Sequence, residues 1–309
     1  MGKREEYDII KSILDRNGYA YLKEIIPVNS LINAYEKEFG IDVSTFFNNI
    51  ENVKIYECKN TNYRFYYPFN IYGDSDFYQK LQKFEWYYMP WKWEHETAIH
   101  LVDKTDKILE VGSGGLGFLK RMKEIGFDIT GLELNEESIV KANEIGVKVL
   151  NETIQNHSVE NFQKYDIVCS FQVLEHISEV HSFLKAQVDC LKPGGKLIIS
   201  VPNNDSFIKL TNNVLLNKPP HHMGLWNKKS LASLTNLFNI NLDNIYFEPL
   251  QEYHIDWYTN IYIDERINKY KIIRILFKQM KLIKIYSYFI RKFRMRIQGL
   301  SILAVYTKT

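Results

Sequence analysis

The sequence predicts an α/β protein: a doubly wound, mostly parallel sheet of seven strands, preceded by a helical and hairpin cap and carrying a basic helical insert before its last strand. Three observations support this. Strand-like and helix-like runs alternate from Lys107 over about a hundred residues. A glycine-rich turn joins the first such strand to its helix. Two further strand-like runs, "NLDNIYFEPL" and "LSILAVYTK", then bring the count to seven.

Taken in order, residues 1–50 look helical, with "REEYDIIKSILDRNG" ending at Gly18 as a C-cap. "VKIYECKNTNYRFYYPF" reads as a strand hairpin, because β-branched and aromatic residues flank the polar "KNTN". Residues 76–102 read as helix interrupted near Pro90. The strands "KILEV", "DITGLEL", "VKVL", "YDIVCSF" and "GKLIISVP" follow. Helical runs such as "LGFLKRMKEIG" and "EESIVKANEIG" separate them, and "NKKSLASLTNLF" comes after. The reading divides the chain into a cap (1–103) and a main domain (104–309), with the insert at 251–297.

A chain of 309 residues fits one large domain with additions, or two. It is 45% hydrophobic and 25% charged, an ordinary globular balance that can bury a sizeable core. No basic-then-apolar leader or spanning apolar run is visible, and the three cysteines lack metal or disulfide-framework spacing. Cytoplasmic residence is the default expectation. The net charge of +2 hides an asymmetry. Residues 266–309 hold 12 of the 39 Lys/Arg and none of the 37 Asp/Glu, which leaves residues 1–265 at 27 against 37, or −10. That acidic body argues against a nucleic-acid partner.

"ILEVGSGGLGFL" places Gly112, Gly114 and Gly117 in a G-x-G-x-x-G turn, where the backbone can approach a ligand closely. Glu133 follows at the end of the second strand, suited to accept from ribose hydroxyls. NAD and S-adenosylmethionine both fit so far. Glu110, just before the glycines, suits the cationic methionine end of S-adenosylmethionine better than a pyrophosphate.

The blocks "ILEVGSGGLGFL", "ITGLELN", "YDIVCSFQVLEHI" and "LKPGGKLIISVPN" resemble a class I S-adenosylmethionine-dependent methyltransferase of Rossmann-like fold, over Ile108 to Asn203. "YRFYYPFNIYGDSDFYQKLQKFEWYYMPWKWEHE" and "PPHHMGLW" resemble methyltransferases of bacterial surface-polysaccharide clusters. The resemblance implies that Glu110, Gly112, Ser113, Gly114 and Gly117 hold the methionine end. By the same resemblance Glu133 and Leu134 border the ribose, Thr153 and Ile154 (with Glu152) the adenine, and Phe171 and Gln172 the end of the fourth strand.

Methyl transfer to a hydroxyl needs alignment and a base. His221 and His222 follow two prolines in a loop placed near the cofactor edge, and either could serve, with His222 preferred. His176 is their rival. Quinone-type relatives carry E-x-x-E-H at its position and use it for a divalent metal, but this chain has Gln172 in place of the first glutamate, so no metal is expected. The aromatic segment "FEWYYMPWKWEHE" suggests a lid, with Tyr87 or Tyr88 as hydrogen-bond donors and Trp91 and Trp93 as further candidates. Relatives of this type sometimes carry a zinc C-x-x-C in the hairpin; Cys58 pairs here only with Thr61.

In the insert, Lys271, Arg274, Lys278 and Lys281 interleave with Ile272, Ile273, Leu276, Phe277 and Met280 as an amphipathic basic helix. Peripheral contact of residues 266–296 with an anionic membrane is one expectation, and a solvated helix packed on the sheet is another. The function expected is transfer of a methyl group from S-adenosylmethionine to a hydroxyl of a small-molecule acceptor, a sugar or cell-surface glycan precursor. The rivals are a metal-using quinone- or lipid-type O-methyltransferase and a non-catalytic binding subunit.

Overall fold

The computed structural model describes residues 8–84, 86–87, 89–211, 214–267 and 282–309. Its centre is a seven-stranded sheet. Five parallel strands come first in the chain: β5 (Lys107–Val111), β6 (Asp128–Leu132), β7 (Val149–Leu150), β8 (Tyr165–Phe171) and β9 (Leu191–Pro202). β11 (Ile240–Pro249) and β12 (Gln298–Lys308) complete it as antiparallel strands, in the order β11-β12-β9-β8-β5-β6-β7. Leu109, Val168, Leu197 and Ile199 are fully buried in its centre. Helices on both faces explain why these strands are continuous apolar runs rather than alternating ones.

The chain starts outward from β5 through β6 to β7, then returns to lay β8 on the other side of β5. Such a reversal opens a crevice at the carboxyl ends of the strands, where ligands bind in sheets of this kind. The connecting helices begin there. They include α4 (Gly117–Glu124), α5 (Glu136–Glu144), α6 (Ile154–Glu160) and α7 (Val180–Cys190). Asn135 caps α5 by accepting from Glu137 N and Ser138 N, and Thr153 caps α6 by accepting from Asn156 N.

Before this sheet stands a smaller one, ordered β1-β2-β3-β4-β10. It contains β1 (Ile9–Lys11), β2 (Tyr19–Pro27), β3 (Asn52–Cys58) and β4 (Arg64–Tyr67). The "KNTN" hairpin is present as expected, but the helix expected near the start is not. Ile9 to Lys11 pairs with Tyr19 to Tyr21, and Gly18 closes the turn between them by donating to the Asp15 carbonyl. Pairing of β2 with β3 overrides the helical spacing of "DIIKSIL". Among the described residues up to 50, helix is α1 (Val28–Phe39) and a 3-10 turn at Ser44–Phe47. The aromatic segment forms α2 (Ser75–Gln82) and α3 (Trp93–Ile99), broken around Pro90 as expected.

The fifth strand of the small sheet, β10 (Gly224–Leu225), comes from the histidine loop and pairs with β4. Trp226 is buried beside it with its ring 4.3 Å from that of Tyr63. The histidine loop is therefore built into the cap, and a short helix, α8 (Lys228–Ala232), follows. Within the insert, α9 (Ile255–Tyr262) and α10 (Leu282–Phe293) are helical. They cover a small core that includes Phe207, Leu250, Tyr258 and Ile290. Lys271, Arg274, Lys278, Lys281 and the apolar residues between them lie outside the described residues.

Candidate active site

A cleft of about 1580 Å³ opens at the carboxyl ends of the parallel strands, between sheet, cap and insert. Glu110, Gly112, Ser113, Gly114, Gly117, Glu133, Leu134, Thr153, Ile154, Phe171 and Gln172 all line it, as do His176, His221 and His222. The sequence reading thus converges on one cavity. Tyr88 lies outside the described residues.

At the donor end, Gly112 has φ +76°, and a Cβ there would meet Val173 Cγ2 at 2.6 Å. Gly117 meets the cap: a Cβ would stand 1.9 Å from the Pro90 carbonyl oxygen. Glu110 is buried at the end of β5, and its Oε2 has no hydrogen-bond partner among the described residues; neither has Ser113 Oγ. Burial first, and then the nearby Glu133, hold the Glu110 carboxyl well above the usual carboxylate range. A buried acid with an unmet oxygen fits a ligand that brings its own positive charge, as the methionine end of S-adenosylmethionine does.

Glu133 ties the loops together. Its Oε2 accepts from Gly114 N at 2.7 Å, and its Oε1 from Leu134 N at 2.8 Å and Asn135 N at 2.9 Å. Oε1 already accepts twice, so the capacity left for a ribose hydroxyl is on Oε2. Phe171 leans on Phe118 with 4.9 Å between ring centroids and on His95 with 5.1 Å. Gln172 takes a left-handed φ of +55° and donates through Nε2 to Ser200 Oγ and Ser301 Oγ. It is a strand-to-strand tie. Trp91 and Trp93 do not line the cleft: Trp91 backs Phe118 and His95 and donates to Glu96, and both tryptophans pack on the outer face of the sheet core. From that segment Trp86, Tyr87 and Met89 line the cleft instead.

The histidine loop is held by tyrosines of the cap. Tyr35 Oη donates to the carbonyls of Leu215 and Lys218, Tyr66 Oη to that of Asn217, and Tyr78 Oη to that of His221. His221 uses both ring nitrogens. Nδ1 donates to the Leu216 carbonyl at 2.7 Å, and Nε2 accepts from Tyr87 Oη at 2.9 Å. His176 Nδ1 donates to the His221 carbonyl at 2.6 Å. His222 Nδ1 meets Asn217 Oδ1 at 3.1 Å. The rings of His221 and His222 stack at 4.4 Å, with His176 edge-on to each at 4.8 Å. Burial lowers the pKa of all three, that of His176 to about 4.

Ring nitrogens of these three histidines lie within 4.8 Å of one another. Yet His221 has both nitrogens engaged, so His176 Nε2 and His222 Nε2 are the two left to offer. A closed zinc site takes about four ligands, and hard cations want anionic oxygens. Two ring nitrogens on offer fall short of the three protein ligands of a catalytic zinc site as well as of the four of a closed one.

A family model described as "Methyltransferase domain" matches residues 86–244, half of the chain. The chain belongs to the methyltransferase-domain family. Among curated proteins it is similar to the ubiquinone biosynthesis O-methyltransferase of Proteus mirabilis (strain HI4320), 28% identical over 163 residues, which covers 47% of this chain and 66% of that one. It is 34% identical over 106 residues to the protein of that name from Yersinia pestis (strain Pestoides F), covering 32% and 44%. The chain thus spans less than two thirds of the length of these relatives. Among solved structures, a SAM dependent methyltransferase from Archaeoglobus fulgidus superposes with a TM-score of 0.50 at 17% identity, over 76% of this chain and all of that one. The expected fold, that of S-adenosylmethionine-dependent methyltransferases, is borne out.

The same cleft holds buried carboxyls that sequence reasoning did not assign to the site. Glu94, on α3, is 2% exposed, and its Oε1 has no hydrogen-bond partner among the described residues. Burial raises its pKa. Glu175, 1% exposed, is raised to about 8, again first by burial. Glu248, at the end of β11, accepts from Leu300 N and Ser301 N, and burial together with Glu94 raises it to about 7. Tyr253, His254 and Trp257 of the insert add rings to the same wall. No spacing rule links positions 94, 175 and 248. Two signals were present: Glu175 is the second glutamate of the E-x-x-E-H pattern, and Glu94 adjoins aromatics in "WKWEHE", which reads equally as an exposed helix start.

Proposed function

We propose that this methyltransferase moves a methyl group from S-adenosylmethionine to a hydroxyl of a polyol acceptor, a sugar or cell-surface glycan precursor, in the cytoplasm. What carries the reading is three buried carboxyls, Glu94, Glu175 and Glu248, in a cleft that the rings of Tyr253 and Trp257 also line. Desolvated carboxyls are costly unless a ligand brings donors, and a hydroxyl-rich ring brings several. Aromatic side chains give such a ring an apolar face to lie on.

S-adenosylmethionine supplies a methyl carbon already activated by its sulfonium, with a neutral thioether as leaving group. The protein's share is alignment and one proton. Glu110, Ser113 and the glycine loop hold the methionine end, Glu133 the ribose, and Thr153 and Ile154 border the base. His222 Nε2 takes the acceptor's proton, because burial keeps the ring neutral at physiological pH. His221 holds the loop.

Methyl-labelled S-adenosylmethionine offered with nucleotide-linked sugars and with hydroxylated quinone head groups tests the reading. Label in the sugars is expected; label in the quinones alone overturns it. The relatives named for ubiquinone biosynthesis favour that second acceptor class. Large planar apolar acceptors would, however, leave the carboxyls of the acceptor wall unmet.

We further propose that the insert rests on an anionic membrane. α10 and its extension expose Ile285, Tyr288, Phe289, Phe293 and Met295 beside the exposed cations Lys284, Lys292 and Arg296. No helix among the described residues is long and apolar enough to cross a membrane. Sedimentation with phosphatidylglycerol vesicles but not with phosphatidylcholine vesicles is expected, and equal behaviour with both refutes the contact.

A further inference from the structure

We infer that Asn217 is a positioning residue that sets which nitrogen of His222 receives the acceptor's proton. The inference deepens the proposed role of His222 as base. It follows from a chain of hydrogen bonds whose direction is fixed at its far end.

Asn204 is buried, and its Nδ2 points at two backbone carbonyls, Trp226 O at 2.9 Å and Pro202 O at 3.3 Å. Carbonyls only accept, so the amide of Asn204 must present its NH₂ there and turn Oδ1 the other way. Asn217 Nδ2 donates to that Oδ1 at 2.6 Å. With its NH₂ so committed, Asn217 presents Oδ1 to His222 Nδ1 at 3.1 Å. An amide oxygen also only accepts, so Nδ1 carries the hydrogen. The lone pair of the neutral ring then sits on Nε2, in the ring that lines the cleft. Reversing any one amide would set oxygen against oxygen or NH against NH.

Neighbouring contacts keep the chain intact. Tyr66 Oη holds the Asn217 carbonyl at 2.9 Å, and Asn204 N donates to the Trp226 carbonyl at 3.0 Å. His221 cannot take over as base without giving up the Tyr87 hydroxyl on its Nε2. His176 faces the loop through Nδ1. Among the described residues the His222 ring meets the rings of His176 and His221 and is hydrogen-bonded by Asn217, which directs its proton.

The test is nitrogen-15 NMR of the full chain labelled at histidine, with signals assigned by the His222→Ala variant. In the wild type, His222 is expected to be neutral with its proton on Nδ1 and a bare Nε2. In Asn217→Leu the bias is expected to fall by about tenfold, the worth of one buried hydrogen bond. S-adenosylhomocysteine affinity should be unchanged by that variant, since the glycine loop is untouched. A purely structural role for Asn217 would lower the melting temperature without moving the tautomer. A wild-type His222 protonated on Nε2 overturns the inference, as does an Asn217→Leu protein with an unaltered tautomer. Should Asn217→Leu not fold, the wild-type spectrum decides alone. Failure of the base reading is distinct: it would show as full methyl transfer by His222→Ala, whatever the tautomer.

Discussion

Replacing Glu133 with Ala tests the donor end, and its size follows from the bonds that carboxylate makes. Three backbone N–H groups point at it, from Gly114, Leu134 and Asn135. Leu134 is 60% exposed, so water replaces the carboxylate there at little cost. The Gly114 bond is partly buried, so loss of folding stability should be about 1–2 kcal/mol. Cofactor binding loses more. A ribose hydroxyl donating to a charged acceptor contributes about 1.5–3 kcal/mol, which is about 10- to 150-fold in Kd. Glu133→Gln keeps the shape and one oxygen but no charge, and should fall between wild type and Ala. Calorimetric titration of S-adenosylhomocysteine into the three proteins reads this directly. An Ala variant that stays folded and binds within about threefold of wild type would refute the assignment of Glu133 to the ribose.

Four other outcomes follow from the same geometry. His222→Ala should lower turnover by about 10²- to 10⁴-fold while leaving S-adenosylhomocysteine affinity unchanged; equal turnover removes it as base. Gly117→Ala places a methyl 1.9 Å from the Pro90 carbonyl. It should cost about 1–3 kcal/mol, read as a lower melting temperature, with weaker cofactor binding alongside. Glu94→Gln should raise KM for the sugar acceptor without changing cofactor affinity, and a selective loss of cofactor binding would count against its place at the acceptor end. Stability of the ligand-free protein should fall between pH 6.5 and 8. Glu175 and Glu248 have folded pKa values raised to about 8 and about 7, so the folded state binds more protons than the unfolded one as pH rises through that window. The buried histidines, with lowered values, act in the opposite sense but only below about pH 6.5, where the unfolded chain begins to take up protons. Glu175→Gln should flatten the upper slope in thermal melts; an unchanged slope would show that Glu175 does not carry it.

The donor half of the site was legible because its chemistry is local. Gly112 to Gly117 follow one strand directly, and Glu133 ends the next, so strand–turn–helix geometry brings them together with little help from the rest of the chain. The acceptor half was not legible. Glu94 comes from α3, Glu175 from the turn after β8 and Glu248 from the end of β11, and only tertiary packing turns three unrelated glutamates toward one cavity. Local propensity misled at the start of the chain for the same reason. The spacing in "DIIKSIL" suits a helix, but Ile9 to Lys11 finds strand partners in Tyr19 to Tyr21, whose other edge is already paired with β3.

The tyrosines show how composition can signal a feature without naming its purpose. Of the twenty-one, only Tyr87 and Tyr88 in "FEWYYMPWKWEHE" read from sequence as part of an aromatic lid or of the core. In the structure, Tyr35, Tyr66 and Tyr78 donate to carbonyls of residues 215–221, and Tyr87 donates to His221 itself. The loop has only the short 3-10 turn Leu215–Asn217 and a few backbone bonds around Lys218, and a buried carbonyl left unpaired is costly. Hydroxyls on the rigid arms of the small sheet and α1 meet that cost, and β10 ties the far end of the loop to β4. The loop therefore cannot shift as a unit without breaking several bonds at once. The base proposed at His222 would have to meet one hydroxyl at one angle, and it needs that rigidity because misplacement by about 1 Å can cost about 100-fold in rate. On that proposal the cap is the scaffold of the base as much as a cover for the cleft, in keeping with a five-stranded sheet whose last strand is drawn from the histidine loop.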